Sequence, residues 1–175
     1  MTFIFLSSCN SIVKTIYDDT TARYNAYFIA NEEIKNIEED YEKNLNQGFD
    51  SLIDLTYKID TNQVSSIKER TQNSIEKLSI LIQRQTTSKY VYPSYALIGK
   101  SRLLNLNLKE AITTLKYVNS KSNNNEANTM ALVYLLRAYT ENKDYNSAQE
   151  VDKFLTNREM NENLKIEYYL SLIHI

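Results

Sequence analysis

Apolar residues recur at helical spacing along most of the chain. Between Ala22 and Leu45 they fall at Tyr27, Ala30, Ile34, Ile37, Tyr41 and Leu45. The steps of three and four describe one face of a helix. Thr20 or Thr21 would cap its start. The opposite face carries Glu32, Glu33, Lys35, Glu38, Glu39, Asp40, Glu42 and Lys43, which reads as solvated. Gln47-Gly48 ends the helix, and residues 49–61, with Phe49, Asp50, Asp54 and Asp60, read as an ordered loop or short helix. A second helix is expected from Asn62 to about Gln85, with Val64, Ile67, Thr71, Ile75, Leu78, Leu81 and Ile82 inward and Glu69-Arg70 and Glu76-Lys77 outward. Gln85 to Lys89 is a polar break, and Pro93 suits the first turn of the next helix.

From there the pattern repeats. Tyr95 to Leu104 reads as one helix, and a short polar link leads to a second that contains Lys109 to Leu115. Small residues, Gly99 and Ala111, would face each other where the two backbones cross. Tyr95 and Ile98 flank that contact, and Leu108 fills the turn. The next unit has Leu132, Leu135 and Tyr139 on its first helix, Asp144-Tyr145 at the turn, and Ala148, Val151 and Leu155 on its second. A further helix would begin near Asn161. The two alanines are 148 − 111 = 37 residues apart.

These paired helices resemble tetratricopeptide repeats, whose period is about 34. The polar stretch Ser120 to Asn128 would supply the extra length. Leu136 departs from the small residue usual at its position. The fold class is therefore expected to be all-α, with antiparallel helix pairs stacked as a tetratricopeptide-like α-solenoid. Such stacks bury a continuous core and leave a concave groove for peptides or helices. Tyr95, Tyr117, Tyr134 and Tyr139 are candidate groove anchors or core residues.

Composition narrows the chemistry. Two Gly and one Pro disfavour a protein of many tight turns. Acidic and basic residues interleave to a net charge of −2, without the basic stripe that nucleic acid requires. Cys9 and His174 are single examples of their kinds, so a nucleophile–base pair or a Cys/His metal site lacks its parts. The two glycines are isolated and make no phosphate loop. A non-enzymatic chain is expected, with no catalytic residue, cofactor, metal or small-molecule substrate.

Both ends are unusual. Leu6-Ser7-Ser8-Cys9 follows an apolar run and resembles a bacterial lipobox, in which the thiol accepts a lipid after cleavage before the cysteine. The alternative is a plain cysteine in a buried helix start. A full signal peptide has a basic region and an apolar core of about 7–15 residues, so this one reads as truncated. Leu170 to Ile175 resembles the translation of a transposon adapter used in sequencing libraries, and so reads as a scar. The expected organisation is a truncated signal and tether at 1–21, a helical lead-in at 22–91, repeats at 92–169 and the scar at 170–175.

The lipobox, the Thr21 to Phe28 segment with its Tyr24-Asn25-Ala26-Tyr27, and the opening Tyr95-Ala96-Leu97-Ile98-Gly99-Lys100-Ser101-Arg102 together resemble the N-terminal part of gliding-motility lipoproteins of the SprE/PorW type. These are large tetratricopeptide proteins of Bacteroidetes. The resemblance spans about Leu6 to Tyr169. It implies a lipoprotein anchored through Cys9 at the periplasmic side of the outer membrane, with proteins of type IX secretion or motility machinery as partners. The alternative is a tetratricopeptide lipoprotein adaptor of outer-membrane protein assembly.

Overall fold

The computed structural model describes residues 6–45 and 61–173. Every regular element among them is helical: α1 (Leu6–Thr21), a π-helical segment (Ala22–Tyr27), α2 (Phe28–Leu45), α3 (Thr61–Arg84), α4 (Val91–Leu104), α5 (Leu108–Lys121), α6 (Asn125–Glu141), α7 (Tyr145–Leu155) and α8 (Glu162–Leu172). The all-α class follows from the 3.6-residue apolar period and the scarcity of turn residues. Residues 49–60, expected as a loop or short helix, lie outside the described residues, as do His174 and Ile175. α8 runs to Leu172, into the residues read as a scar.

The apolar faces read from the pattern are the buried ones. Ala30, Ile34 and Ile37 of α2, and Ile67, Leu78 and Leu81 of α3, are buried, with Ile75 and Ile82 partly so. Thr71 is buried too, because its hydroxyl donates to the Ile67 carbonyl at 2.8 Å and needs no outside partner. One contiguous core runs from Ala30 of α2 to Leu164 of α8. From α2 to α7 each helix packs on the next, and α4 also touches α2 and α6, while α6 also touches α8. α6 is therefore enclosed by four neighbours, which explains why Met130 to Leu136 are all buried.

The turns repeat. Leu106 and Lys143 both take positive φ, 58° and 59°, and both directly precede the cap of the following helix, Asn107 and Asp144. Their separation, 143 − 106 = 37, equals that of Ala111 and Ala148. The helix starts of α4 and α6 are only 125 − 91 = 34 apart. The three additional residues lie within α6, which has 17 residues against 14 in α4. They do not lie in the connection, as the Asn-rich stretch suggested: Ser122 to Asn124 alone link α5 to α6. Asn124, Asp144 and Asn161 cap α6, α7 and α8 by accepting backbone N–H bonds from Ala127, Ser147 and Leu164.

Several expectations need correction. The tether expected within 1–21 is helical from Leu6 to Thr21, as α1. The helix expected from Ala22 begins instead with six π-helical residues, a widening that single-sequence periodicity does not encode. Gly99 does not have Ala111 as its closest neighbour: a Cβ on Gly99 would lie 2.5 Å from Leu115 Cδ2 and 2.6 Å from its Cγ. The close crossing is one turn further along α5. Ala111 instead joins Leu103 and Ala138 in a small cluster, with Leu108 against it. Leu108 is thus the first residue of α5 rather than a turn residue, and Leu106 occupies the turn. Tyr145 is likewise the first residue of α7, and it is exposed, not a packing residue.

Candidate functional site

α4 and α6 each carry a cation on a largely buried stretch, Lys100 and Arg137. A cation there must find a partner or stay out of the core. Both find partners on helices far away in sequence. Lys100 Nζ lies 2.9 Å from Glu38 Oε2 of α2 and 2.9 Å from Glu167 Oε2 of α8. Arg137 Nη1 lies 3.2 Å from Glu167 Oε1 and 3.6 Å from Glu38 Oε1, and its Nε bonds Glu141 at 2.9 Å. Lys100 also sits over the Tyr134 ring, 4.8 Å from its centroid. Three carboxylates thus meet two cations, and four helices converge on one point.

The electrostatics separate the two shared carboxylates. Burial pushes Glu38 above the usual carboxylate range, the nearby charge of Glu167 adds to the rise, and Lys100 and Arg137 only partly offset it. Burial acts on Glu167 in the same sense, but Lys100 and Arg137 more than reverse it, so its pKa is lowered. Burial alone would lower Lys100, yet Glu167 and Glu38 hold it well above an ordinary lysine. Tyr134, wholly enclosed, is raised by burial.

The solvated face expected on α2 is corrected at three of its residues. Glu38 is in the charge cluster, and Glu33 and Asp40 pair with Arg70 of α3, the latter at 2.8 Å. Lys35 and Glu32 do pair on the exposed side, at 2.8 Å. The cluster was missed because Glu38 sits in an acidic run, Glu38-Glu39-Asp40, that looks like surface. The usable signal was the other partner: Arg137 interrupts the apolar run Met130 to Tyr139.

The remaining candidates scatter. Ile98, Leu132, Leu135, Tyr139 and Ala148 are buried in the core. Of the four candidate groove tyrosines, Tyr134 and Tyr139 are buried, and Tyr95 is half-buried against Tyr117, with ring centroids 5.1 Å apart. Only Tyr117 is exposed. A shallow groove between α5 and α7 is floored by Leu132, Leu135 and Tyr139, with the exposed Phe154 beside it. Cys9 lies in the first half of α1, and its side chain is outside the described residues. α1 and the π-helical segment are held to the α3–α4 turn at two places. Tyr27 meets Tyr90, centroids 4.9 Å apart, and burial pushes the Tyr27 phenol up to about 12. Asp18 accepts from Thr87 Oγ1 at 2.7 Å, and Asp19 accepts from Ser88 Oγ at 2.9 Å and from the Lys89 N–H at 2.8 Å.

Among the described residues no group of three or more His, Cys, Asp or Glu is arranged to hold a metal ion. Both cations of the cluster are held in direct ion pairs with carboxylates of other helices, an arrangement that positions helices. No family model, curated protein or solved structure matches the chain.

Proposed function

We propose that the chain is a non-enzymatic scaffold that binds partner proteins, built as a tetratricopeptide-like α-solenoid and held at a membrane by a lipid on Cys9. The observation that supports the solenoid is the repeated unit: a helix, a turn closed by a residue at positive φ (Leu106, then Lys143), a cap (Asn107, then Asp144) and a return helix, recurring after 37 residues. Units that repeat and pack mainly on their neighbours suit the binding of extended partners. Glu38 and Glu167 already fill the space against Lys100 and Arg137 on the side where α2, α4, α6 and α8 meet. Partner contact therefore falls on other surfaces, such as the groove between α5 and α7.

Among the described residues no helix is long and apolar enough to cross a membrane. The lipobox supports a lipid anchor instead, and two acyl chains suffice for stable attachment. With the resemblance noted above, the favoured setting is the periplasmic side of the outer membrane, in type IX secretion or gliding motility. Metabolic labelling with a fatty acid tests the anchor: label is expected on the wild-type protein and lost in Cys9→Ser, and an unlabelled soluble wild type would refute it. Co-purification from cells then tests the setting. Secretion or motility components are the expected partners; recovery of the outer-membrane assembly machinery in their place would favour the adaptor alternative.

A further inference from the structure

Residues 12–17 of α1 are exposed on every side. Four of the six are large and apolar: Ile12, Val13, Ile16 and Tyr17 are 60–68% exposed. At 3.6 residues per turn they span an arc of about 140°, with Lys14 and Thr15 outside it. The next residues invert the usual arrangement of an amphipathic helix. Asp18 and Asp19 hold α1 to the body through Thr87, Ser88 and Lys89. The polar end is docked, and the apolar arc is left outward. α1 runs without a break into the π-helical segment and α2, and among the described residues no helix of the body packs against its apolar arc. Four large apolar side chains gathered on one arc and left in water are unfavourable, so this arc calls for a second surface.

The sequence says which surface. The arc begins three residues after Cys9, and a helix rises 1.5 Å per residue, so Ile12 to Tyr17 fall within about 12 Å of a lipid on that residue. We infer that α1 is a membrane-contact helix: its Ile12, Val13, Ile16 and Tyr17 face lies in the interfacial layer of the bilayer that holds the Cys9 lipid. This inference rests on the lipid anchor proposed above. It adds that the protein meets the membrane through a helix as well as through acyl chains. Apolar side chains with an interfacial tyrosine suit that depth. Because Asp18 and Asp19 fasten α1 to the α3–α4 turn, the contact would also set how the helical stack is presented from the membrane.

The experiment separates the helix contact from the anchor. The chain contains one cysteine and no tryptophan. Cys9 of the full chain can be coupled to a maleimide lipid in phosphatidylethanolamine/phosphatidylglycerol vesicles, which supplies a tether whether or not cells acylate it. Tyr17→Trp then places the sole indole on the arc. On tethering, its emission is expected to shift to the blue and to be quenched by lipids brominated on their acyl chains. Phe154→Trp, on α7, is the control and should do neither. Adding Ile12→Asp and Ile16→Asp to Tyr17→Trp should abolish the shift with the helical circular dichroism unchanged, since both sites are exposed. Emission of a water-exposed indole in the tethered Tyr17→Trp protein would overturn the inference, and so would a shift that survives the two aspartates. A blue shift that grows with protein concentration without vesicles would assign the face to a second copy and overturn it as well. Failure of fatty-acid labelling in cells would count against the anchor alone.

Discussion

Glu38 and Glu167 look interchangeable by geometry, since each has an oxygen 2.9 Å from Lys100 Nζ. Their environments make them different. Glu167 is also 3.2 Å from Arg137, and the two cations favour its charged form despite burial. Glu38 is 3.6 Å from Arg137, and burial together with the neighbouring Glu167 disfavours its charge. Neutral isosteres should therefore act unequally. Removing one partner of a buried ion pair costs about 3–5 kcal/mol when the other is left bare. In Glu167→Gln, Lys100 keeps Glu38, and Arg137 keeps Glu141, so about 2–3 kcal/mol is expected at pH 7. Glu38→Gln removes a charge that the fold already resists, and its amide oxygen can still accept from Lys100, so about 1 kcal/mol or less is expected. Urea unfolding followed by far-ultraviolet circular dichroism, with m unchanged, measures both. The pH dependences should also oppose each other. The lowered pKa of Glu167 gives stability that is present above the ordinary carboxylate range and lost as pH falls through its folded value, so the gap between wild type and Glu167→Gln closes in acid. The raised pKa of Glu38 gives stability that is present in acid and lost as pH rises through its folded value, so wild type loses ground to Glu38→Gln on the way to neutrality. Equal costs at pH 7, or a larger cost for Glu38→Gln, would refute the assignment.

Three further outcomes follow from the same packing. Lys100→Met leaves Glu38 and Glu167 facing each other, so it should cost about 3–5 kcal/mol at pH 7 and less in acid, where the raised pKa of Glu38 lets it take up a proton first; a pH-independent cost in urea melts would contradict this. Gly99→Ala places a Cβ 2.5–2.6 Å from the fully buried Leu115 and should destabilise by about 1–3 kcal/mol in the same assay; a neutral result would mean that α4 and α5 do not cross there. Lys143→Gly relieves a left-handed residue worth about 1–2 kcal/mol but adds unfolded-chain entropy, so a gain of at most about 1 kcal/mol is expected; a fall in Tm would argue that the turn is not strained.

The two halves of the chain were unequally legible. Between Ile98 and Leu155 the small and apolar positions marked both helix pairs, because burial acts on every apolar side chain and repeats at the helical period. The register of the pairs was not legible at one-turn precision. Gly99 and Ala111 are both small, yet the bulk of Leu115, not the smallness of Ala111, is what requires a glycine at 99. α1 was misread for a different reason: Asp18 and Asp19 look like tether residues until Thr87, Ser88 and Lys89 are brought to them across about seventy positions.

The helical class, the inward faces of α2 and α3, the start of α8 near Asn161 and the order of helices from α4 to α7 were already written in the local pattern. Hydrophobic burial needs no particular partner, so a local pattern suffices to reveal it. Ion pairing is directional and short-ranged, and each charge needs a named partner. Glu38, Lys100, Arg137 and Glu167 are adjacent only because α2, α4, α6 and α8 converge. Which charges stay in water, and which fasten the helices together, was decided by the tertiary structure alone.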